Sequence, residues 1–155
     1  MSLISTTINS PIGKIKITIS NSKLINIQLA AQSSSSQNDQ NKLIQNVISQ
    51  LQKYFTDANF SFNLPLQPKG TTFQQKVWHA LQNIPCGETR TYGELAKQLK
   101  TSPRAIGNAC RANPIPIIIP CHRVVSQNSD SGFMGKTAGK SLKIKKWLLQ
   151  HEQLR

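Results

Sequence analysis

Acidic side chains are scarce in this sequence. Six Asp and Glu residues stand against 19 Lys and Arg, so the formal net charge is +13 at pH 7. Residues 1–69 carry 6 basic and 2 acidic side chains, a net charge of +4, whereas residues 70–155 carry 13 and 4, a net charge of +9. A chain this basic attracts polyanions, first of all DNA or RNA, although a high charge can also serve solubility alone. If nucleic acid binds, we expect the second half to make most of the contacts.

Long apolar runs and paired cysteines are also missing. No run of 18 apolar residues is present, which excludes a helix that spans a membrane. Met1–Ser10 lacks the basic and apolar regions of a secretory signal, so we expect a cytoplasmic protein with no membrane partner. The three cysteines (Cys86, Cys110 and Cys121) are odd in number and show no C-x-x-C spacing, which argues against disulfides and zinc. We therefore expect no metal and no cofactor.

The first half of the chain predicts a small antiparallel sheet with one helix. Alternating apolar residues over Lys14–Ser20, and again over Ile25–Leu29, indicate a hairpin that turns at Asn21-Ser22. Apolar residues four apart over Lys42–Phe55 predict an amphipathic helix. Phe60–Leu64 is a candidate third strand. The inward positions of the predicted hairpin are Ile15, Ile17, Ile19, Ile25, Ile27 and Leu29.

A polar stretch and two prolines punctuate the chain. Gln32–Asn41 is a low-complexity run of Ser, Gln and Asn, which predicts a loop. Pro65 and Pro68 mark a linker. We therefore expect two domains, an α/β domain over residues 1–69 and a second, mostly helical domain over residues 70–155.

The second half begins with an amphipathic helix. Thr71 or Thr72 can cap its first turn, because a threonine side chain accepts hydrogen bonds from free N–H groups there. Phe73, Val77 and Leu81 follow four apart, so we expect all three to face the interior.

Two short helices around a tight turn come next. Tyr92–Leu99 predicts the first, and Ser102-Pro103 opens the second with an N-cap serine and a proline at the first helical position. The second helix ends near Ala112 and carries Arg104 and Arg111. This layout fits a helix-turn-helix, and it fits a plain helical hairpin equally well.

A cysteine and a histidine stand at the edge of a buried segment. Ile115–Ile119 is nearly all apolar, and Cys121 and His122 follow directly after Pro120. A free thiol has a pKa near 8.5, so a nearby base or cation must raise its thiolate fraction before it reacts. His122 and Arg123 are candidates, but a buried structural cysteine beside a surface histidine is the plainer reading.

A carboxylate in the closing helix helps to decide whether Cys121 is reactive or structural. Ser141–Glu152 predicts a helix in which Ile144 and Leu148 lead to Glu152 along one apolar stripe. A buried carboxylate is costly unless it is paired, and His122 is a suitable partner. The three residues could then act as nucleophile, base and orienting group. A frayed helix end with a solvated Glu152 is equally compatible with the sequence.

Taken together, these segments resemble one family. Arg111–Val125 closely resembles the active-site segment of the O6-alkylguanine-DNA alkyltransferases, or methylated-DNA–protein-cysteine methyltransferases, and its Pro-Cys-His-Arg-Val core is highly specific. Gly70–Leu81 and Ile84–Ala96 resemble the upstream blocks of the family, and Arg104–Gly107 and Trp147–Glu152 match as well. The first half agrees only in its predicted layout.

The resemblance implies both a fold and a function. The fold would be α+β, with a ribonuclease-H-like first domain and an all-helical, winged-helix-like second domain that contains a helix-turn-helix. The function would be direct-reversal DNA repair, in which an alkyl group moves from O6 of guanine to Cys121 in one irreversible turnover. We expect a monomer that binds double-stranded DNA through its minor groove and rotates the damaged nucleotide out of the stack. Activity on O4-alkylthymine stays undecided.

The resemblance also implies catalytic roles. Cys121 would accept the alkyl group, His122 would deprotonate it through a water molecule, and Glu152 would hold the histidine. Asn113 would tie the recognition helix to the active-site segment. Tyr92 would crowd the phosphate beside the lesion and donate a hydrogen bond to guanine N3.

Further residues would bind the substrate and the duplex. Arg104 would fill the gap that the rotated base leaves. The main-chain carbonyls of Cys121 and Val124 would accept from the exocyclic amine of guanine, and the N–H of Met134 would reach O6. The side chains expected to contact DNA are Thr91, Ser102, Arg104, Arg111 and Arg123.

One segment departs from the family pattern, and three alternatives bear on the function. The family usually shows Gly-Tyr-Ser-Gly-Gly where this chain has Gly132–Lys136, so the bulkier Met134 can reshape the alkyl pocket. A non-catalytic lesion-binding relative would lack the reactive cysteine, which is present here. A helix-turn-helix regulator would not explain the Cys121-His122 pair, and a Cys-His hydrolase would not explain the DNA-binding features.

Overall fold

The computed structural model describes residues 3–32, 40–127 and 140–153. Most of the predicted polar loop and the glycine-containing segment around Met134 lie outside these residues. The chain divides into two compact units, one ending at Lys69 and the other beginning at Gly70. Among the described helices, none has the length and apolar character needed to cross a bilayer.

The first unit contains a three-stranded antiparallel sheet in the order β1-β2-β3. Its strands are β1 (Ile4–Ile8), β2 (Ile15–Ser20) and β3 (Lys23–Gln28). The predicted hairpin is confirmed, since β2 and β3 pair around a turn at Asn21 and Ser22. These two residues have φ values of 52° and 61°, which suit a tight hairpin turn.

The prediction of a third strand at Phe60–Leu64 is wrong. The third strand is β1, and within the described chain Phe60–Leu64 has no place in the sheet. The chain touches the sheet only just beyond it, where the Leu24 N–H donates to Pro65 O at 2.8 Å and the Gln67 N–H donates to Leu24 O at 2.9 Å. The alternating apolar residues of Phe60–Leu64 therefore belong to a segment that is not part of the sheet.

A β-bulge changes which residues of β3 face inward. The register shifts between Thr18 and Ile19, so that Thr18 pairs with Asn26 and Ile19 pairs with Leu24. A bulge places one extra residue in the strand and reverses the alternation beyond it. Leu24 and Ile27 are buried as a result, and Ile25, which was expected to face inward, is only half-buried.

The helix α1 (Lys42–Thr56) covers the sheet and confirms the predicted amphipathic helix. Asn41 caps it, because its Oδ1 accepts from the N–H groups of Leu43 at 2.9 Å and Ile44 at 3.1 Å. The apolar side of α1 packs against β1 and β2. The buried residues of this core are Ile15, Ile17, Ile19, Leu24, Ile27, Ile44, Val47, Leu51 and Tyr54.

The second unit is built from four helices and one small sheet in its described part. The helices are α2 (Thr72–Gln82), α3 (Tyr92–Leu99), α4 (Pro103–Arg111) and α5 (Lys140–Gln153). The expectation of an all-helical domain needs a small correction, because β4 (Arg90–Thr91) and β5 (Val124–Val125) pair in parallel. This pairing joins the start of α3 to the chain just after Cys121.

Local capping interactions set the helix-turn-helix. Thr91 and Glu94 form a capping box at the start of α3, with Thr91 Oγ1 accepting from the Glu94 N–H at 3.0 Å. Lys100 ends α3 in the left-handed region, with φ of 59°. Ser102 then caps α4 by accepting from the Ala105 N–H at 3.1 Å. The predicted Ser102 cap and tight turn are confirmed, and the capping box at Thr91 is a cap that the sequence analysis did not predict.

In the second unit, α4 packs against both α3 and α2. The Trp78 side chain is buried, and its Nε1–H donates to Ala109 O at 2.8 Å. Val77 and Leu81 are buried as predicted, but Phe73 is 36% exposed, so its predicted inward position is wrong. Phe73 lies in the first turn of α2, ahead of the part of the helix that packs on α4. The core also includes Leu95, Ile106, Ile115, Ile119, Val124, Ile144 and Leu148.

Candidate active site and nucleic-acid interface

Cys121 lies at the end of the buried apolar segment. Residues 115–120 are all buried, and a 3-10 helical turn over Cys121–Arg123 follows them. Ile117 has φ of 73°, a region that a β-branched residue rarely adopts and that costs about 1–2 kcal/mol. After this strained residue, the Cys121 N–H donates a hydrogen bond to Ile119 O at 2.8 Å. The Cys121 side chain is thus fixed in place and only 4% exposed.

Asn113 connects this segment to the end of α4. Its Nδ2 donates to Ile119 O at 2.8 Å, and its Oδ1 accepts from the Ile115 N–H at 3.0 Å. Its own N–H donates to Cys110 O, and its side chain also hydrogen-bonds the sulfur of Cys121. A single asparagine therefore holds both the loop and the thiol.

His122 and Glu152 form a buried pair. His122 Nε2 lies 2.7 Å from Glu152 Oε2, and the two side chains are 0% and 1% exposed. This pairing decides between the two alternatives that the sequence left open, because Glu152 is not solvated. The helix α5 holds the carboxylate inward, directly against the 3-10 turn.

Arg123 completes the pair as a three-residue network. Its Nε donates to Glu152 Oε1 at 2.9 Å and its Nη2 to Glu152 Oε2 at 3.0 Å, while its Nη1 donates to Ile84 O at 2.7 Å. The side chain is 13% exposed. All three guanidinium nitrogens of Arg123 thus bind the protein, and its expected contact with DNA stays a prediction.

The charges of this network follow from its hydrogen bonds. Burial on its own would raise the pKa of Glu152, but the hydrogen bonds from His122 and Arg123 hold that pKa well below its ordinary range. Burial lowers the pKa of His122, against the opposing pull of Glu152. At neutral pH we therefore assign an ionised carboxylate and a neutral imidazole that donates from Nε2. Its Nδ1 is buried and has no hydrogen-bond partner among the described residues.

The thiol of Cys121 is protonated in this environment. Burial raises its pKa to about 11, outweighing the hydrogen bond from Asn113 and the positive charge of Lys145, which both lower it. A reaction at this sulfur must therefore remove its proton. His122, the next residue in the chain, has a free lone pair on Nδ1 that can accept this proton.

Lys145 is a site residue that the sequence analysis missed. Its side chain is fully buried, and its Nζ donates to Val124 O at 2.7 Å. The same Nζ lies 6.0 Å from the centre of the Tyr92 ring. Lys145 lies seven residues before Glu152, so both residues lie on one face of α5. That spacing is the feature of the sequence from which Lys145 could have been identified. The buried cation lowers the pKa values of both Cys121 and Cys110.

Tyr92 begins α3 and is half-buried. Burial raises the pKa of its phenol, and the neighbouring thiols of Cys110 and Cys121 act in the same direction. The hydroxyl is therefore neutral at physiological pH and is available as a hydrogen-bond donor.

A groove of about 590 Å³ runs between the helix-turn-helix and the chain after β5. Arg104 and Arg111 line it from α4, and Thr91 and Tyr92 line it from the start of α3. Ser102 is exposed at the α4 cap but does not line the groove, and Val124 is buried behind it. The full lining is Thr91, Tyr92, Gly93, Pro103, Arg104, Gly107, Asn108, Arg111, Ser126 and Gln127.

Two further expectations from the sequence concern Met134 and metal binding. Met134, expected to meet the substrate, lies outside the described residues. Over residues 3–32, 40–127 and 140–153, no three His, Cys, Asp or Glu side chains gather as a metal site.

Comparison with known proteins covers both units. Residues 3–68 match the model of the ribonuclease-like domain of 6-O-methylguanine DNA methyltransferase, and residues 72–154 match the model of its DNA-binding domain. The methylated-DNA–protein-cysteine methyltransferase of Methanosarcina mazei is 48% identical over 111 residues, which are 69% of this chain and 66% of that protein.

Solved structures show the same likeness. The crystal structure of Mycobacterium tuberculosis O6-methylguanine methyltransferase superimposes with a TM-score of 0.86 at 34% identity, over 99% of this chain and 94% of that one. The crystal structure of Mycobacterium tuberculosis OGT in complex with DNA superimposes with a TM-score of 0.79 at 37% identity, over 97% and 92% of the two chains.

Proposed function

This chain belongs to the O6-methylguanine DNA methyltransferase family, and we propose that it repairs duplex DNA by moving the alkyl group from O6 of a guanine to Cys121, once and irreversibly. The observation that carries this proposal is the buried His122–Glu152 pair beside Cys121, with His122 Nδ1 left free to take a proton. A purely structural cysteine needs neither an adjacent buried base nor a carboxylate that orients it.

The chemistry is a displacement at carbon. As the sulfur lone pair of Cys121 forms the S–C bond, the C–O6 bond breaks and its electron pair stays on the guanine. The thiol proton goes to His122 Nδ1 through one water molecule, and Glu152 stabilises the imidazolium that forms. The guanine takes up a proton, and the neutral Tyr92 hydroxyl donates a hydrogen bond to its N3. Such donors stabilise charge where it develops on the leaving base.

The substrate carbon is hidden inside a duplex, so the nucleotide must leave the stack first. The groove along α4 offers Arg104 to fill the gap and Arg111 to contact phosphate, while Tyr92 and Thr91 lie at its edge. Rotation costs a few kcal/mol, which an inserted side chain helps to offset. The DNA complex of the Mycobacterium tuberculosis relative supports a protein–DNA interface for this fold.

The product explains why one turnover is expected. A thioether carbon is a very poor electrophile at neutral pH, because an alkyl thiolate leaves poorly, so Cys121 cannot be regenerated in the site. An intact Cys121 also separates this chain from non-catalytic relatives that only bind the lesion. Repair therefore consumes the protein.

Mass spectrometry tests this proposal. The protein is mixed with a duplex that carries one O6-[13C]methylguanine, and the intact mass and the peptide map are measured. We expect one labelled methyl group on Cys121. Cys121→Ala is the matched variant, and we expect it to bind the duplex but to gain no label. A label elsewhere, or an unmodified wild-type protein after long exposure, would contradict the proposal.

A further inference from the structure

The groove is lined by three polar side chains that the roles above do not use, which are Asn108 on α4 and Ser126 and Gln127 on the chain after β5. Asn108 is exposed on α4 and lines the groove between Arg104 and Arg111. The spacing of these three residues is i, i+4 and i+7, so they form one row on the outer face of the helix. From this placement we propose that Asn108 reads the minor-groove edge of a base pair next to the lesion and makes repair depend on sequence context.

The reach of Asn108 suits a base edge better than a phosphate. Its side chain is much shorter than the two arginines that flank it, so it contacts only what lies close to the helix surface. Gly107 lines the groove beside it without a side chain, and a Cβ there would lie 3.9 Å from the Tyr92 ring. The long arginines can reach outward to phosphates and into the base stack, while Asn108 can reach only the base edges on the floor of the DNA minor groove.

The distance along the helix fixes which base pairs are within reach. Four residues of an α-helix rise about 6 Å, and successive base pairs are about 3.4 Å apart. If Arg104 enters the stack, as the proposed function requires, Asn108 lies within two base pairs of the rotated nucleotide. The inference therefore rests on the proposed function and names a specificity-determining residue for it.

The chemistry of the minor groove fixes what an asparagine can distinguish. Every base pair presents acceptors at N3 or O2 there, but only a G·C pair adds a donor, the N2 amine of guanine. The Asn108 amide has a donor for the common acceptors and an Oδ1 that accepts from that amine. We therefore expect faster repair where a G·C pair lies within two base pairs of the lesion.

Inosine tests this inference directly, since an inosine·C pair lacks only the minor-groove amine. Transfer rates are measured under single-turnover conditions on two duplexes that differ by guanine or inosine at the positions flanking O6-methylguanine. We expect wild type to react about threefold to tenfold faster on the guanine-flanked duplex, which is the range of one hydrogen bond. We expect Asn108→Ala to lose this preference, because the rate ratio that it keeps measures only the weaker pairing of inosine, which affects both proteins alike.

Controls make each outcome decisive. Alanine is a better helix former than asparagine, so Asn108→Ala should keep α4 folded. Gln98→Ala removes another exposed amide from the same motif, outside the groove, and should keep the wild-type preference. A guanine-to-inosine rate ratio in wild type that is no larger than the ratio in Asn108→Ala would overturn the inference. Binding of the same duplexes by fluorescence anisotropy gives a second readout, so a failure of alkyl transfer itself can be told apart.

Discussion

At the scale of single residues, the site works through a division of charge. Hydrogen bonds from His122 and Arg123 keep Glu152 ionised, and burial keeps His122 neutral. Because His122 Nε2 donates to Glu152, the acceptor nitrogen Nδ1 faces away from the carboxylate. The thiol of the neighbouring Cys121 is protonated, since burial raises its pKa to about 11. In the proposed reaction, His122 Nδ1 is the acceptor for that proton.

Glu152→Gln tests the orienting role of the carboxylate. The amide keeps the shape but loses the charge that stabilises the imidazolium, so we expect single-turnover alkyl transfer to slow about 100-fold, the lower end of general-base contributions. Affinity for a lesion duplex should stay within about twofold, because Glu152 is buried and does not line the groove. Glu88→Gln, a change at an exposed acid, is the control and should transfer at the wild-type rate. Equal rates in both variants would contradict the role.

Lys145→Met tests the buried cation. Without the positive charge the pKa of Cys121 rises further, so we expect severalfold slower alkylation of the intact protein by iodoacetamide at pH 8. The Val124 carbonyl also loses a donor, which costs about 1–3 kcal/mol of unfolding free energy. Lys146→Met removes the exposed neighbour and serves as the control. Unchanged thiol reactivity in Lys145→Met would show that the charge does not act on Cys121.

The sequence predicts most of these residues but, apart from the pairing of Glu152 with His122, not their contacts. The motif around Cys121 and the stripe that ends at Glu152 point to Cys121, His122 and Glu152, the last two of which the structure brings into contact. Arg123 was considered as a cation for the thiol and as a DNA contact, because nothing in the sequence places it against a carboxylate 29 residues away. Lys145 was missed for a similar reason, since a lysine in a helix is most often exposed.

At the scale of elements, the helix caps position the groove. Thr91 begins a capping box whose first helical residue is Tyr92, so the cap sets the direction of the tyrosine. The bridge between β4 and β5 holds the same point against the chain that follows Cys121. The groove and the thiol are thus connected through one short stretch of backbone.

Thr91→Ala tests this connection, with Thr71→Ala as the matched control. Both threonines form capping boxes, and each loss should cost about 1 kcal/mol of unfolding free energy in urea. Only Thr91 lines the groove. We expect slower alkyl transfer on duplex DNA in Thr91→Ala and a wild-type rate in Thr71→Ala. If both variants transfer at one rate, the cap does not position Tyr92.

Elements differ in how far the sequence determines them. Helices with caps and a clear apolar face were predicted close to their observed bounds, because both signals are local. β1 was not predicted, since its sequence is mostly Ser and Thr and its stability comes from pairing with β2, including a contact between Ser5 Oγ and Thr18 Oγ1 at 3.1 Å. Ile25 was placed on the wrong face because a bulge depends on the partner strand.

At the scale of the whole molecule, two buried groups couple stability to pH. The folded-state pKa values of His122 and Glu152 both lie below their ordinary values of 6.5 and 4.5. The unfolded chain therefore binds more protons as the pH falls. The stability that these groups contribute is complete above pH 6.5 and is lost as the pH falls through their folded values.

Urea unfolding across pH checks this coupling. We expect the unfolding free energy to fall on acidification from pH 7.5, and His122→Gln to remove the part of that slope just below pH 6.5. His79→Gln, at an exposed histidine, is the control and should leave the slope unchanged. A slope that His122→Gln does not alter would show that His122 is not held neutral by burial.

The stoichiometry of repair tests the central claim most directly. A fixed amount of protein is mixed with an excess of duplex that carries 13C-labelled O6-methylguanine, and both restored guanine and labelled Cys121 are counted at completion. The account predicts one restored guanine and one labelled Cys121 for each protein molecule, with no further repair over time. Continued repair beyond one equivalent, or restored guanine without a label on Cys121, would contradict it.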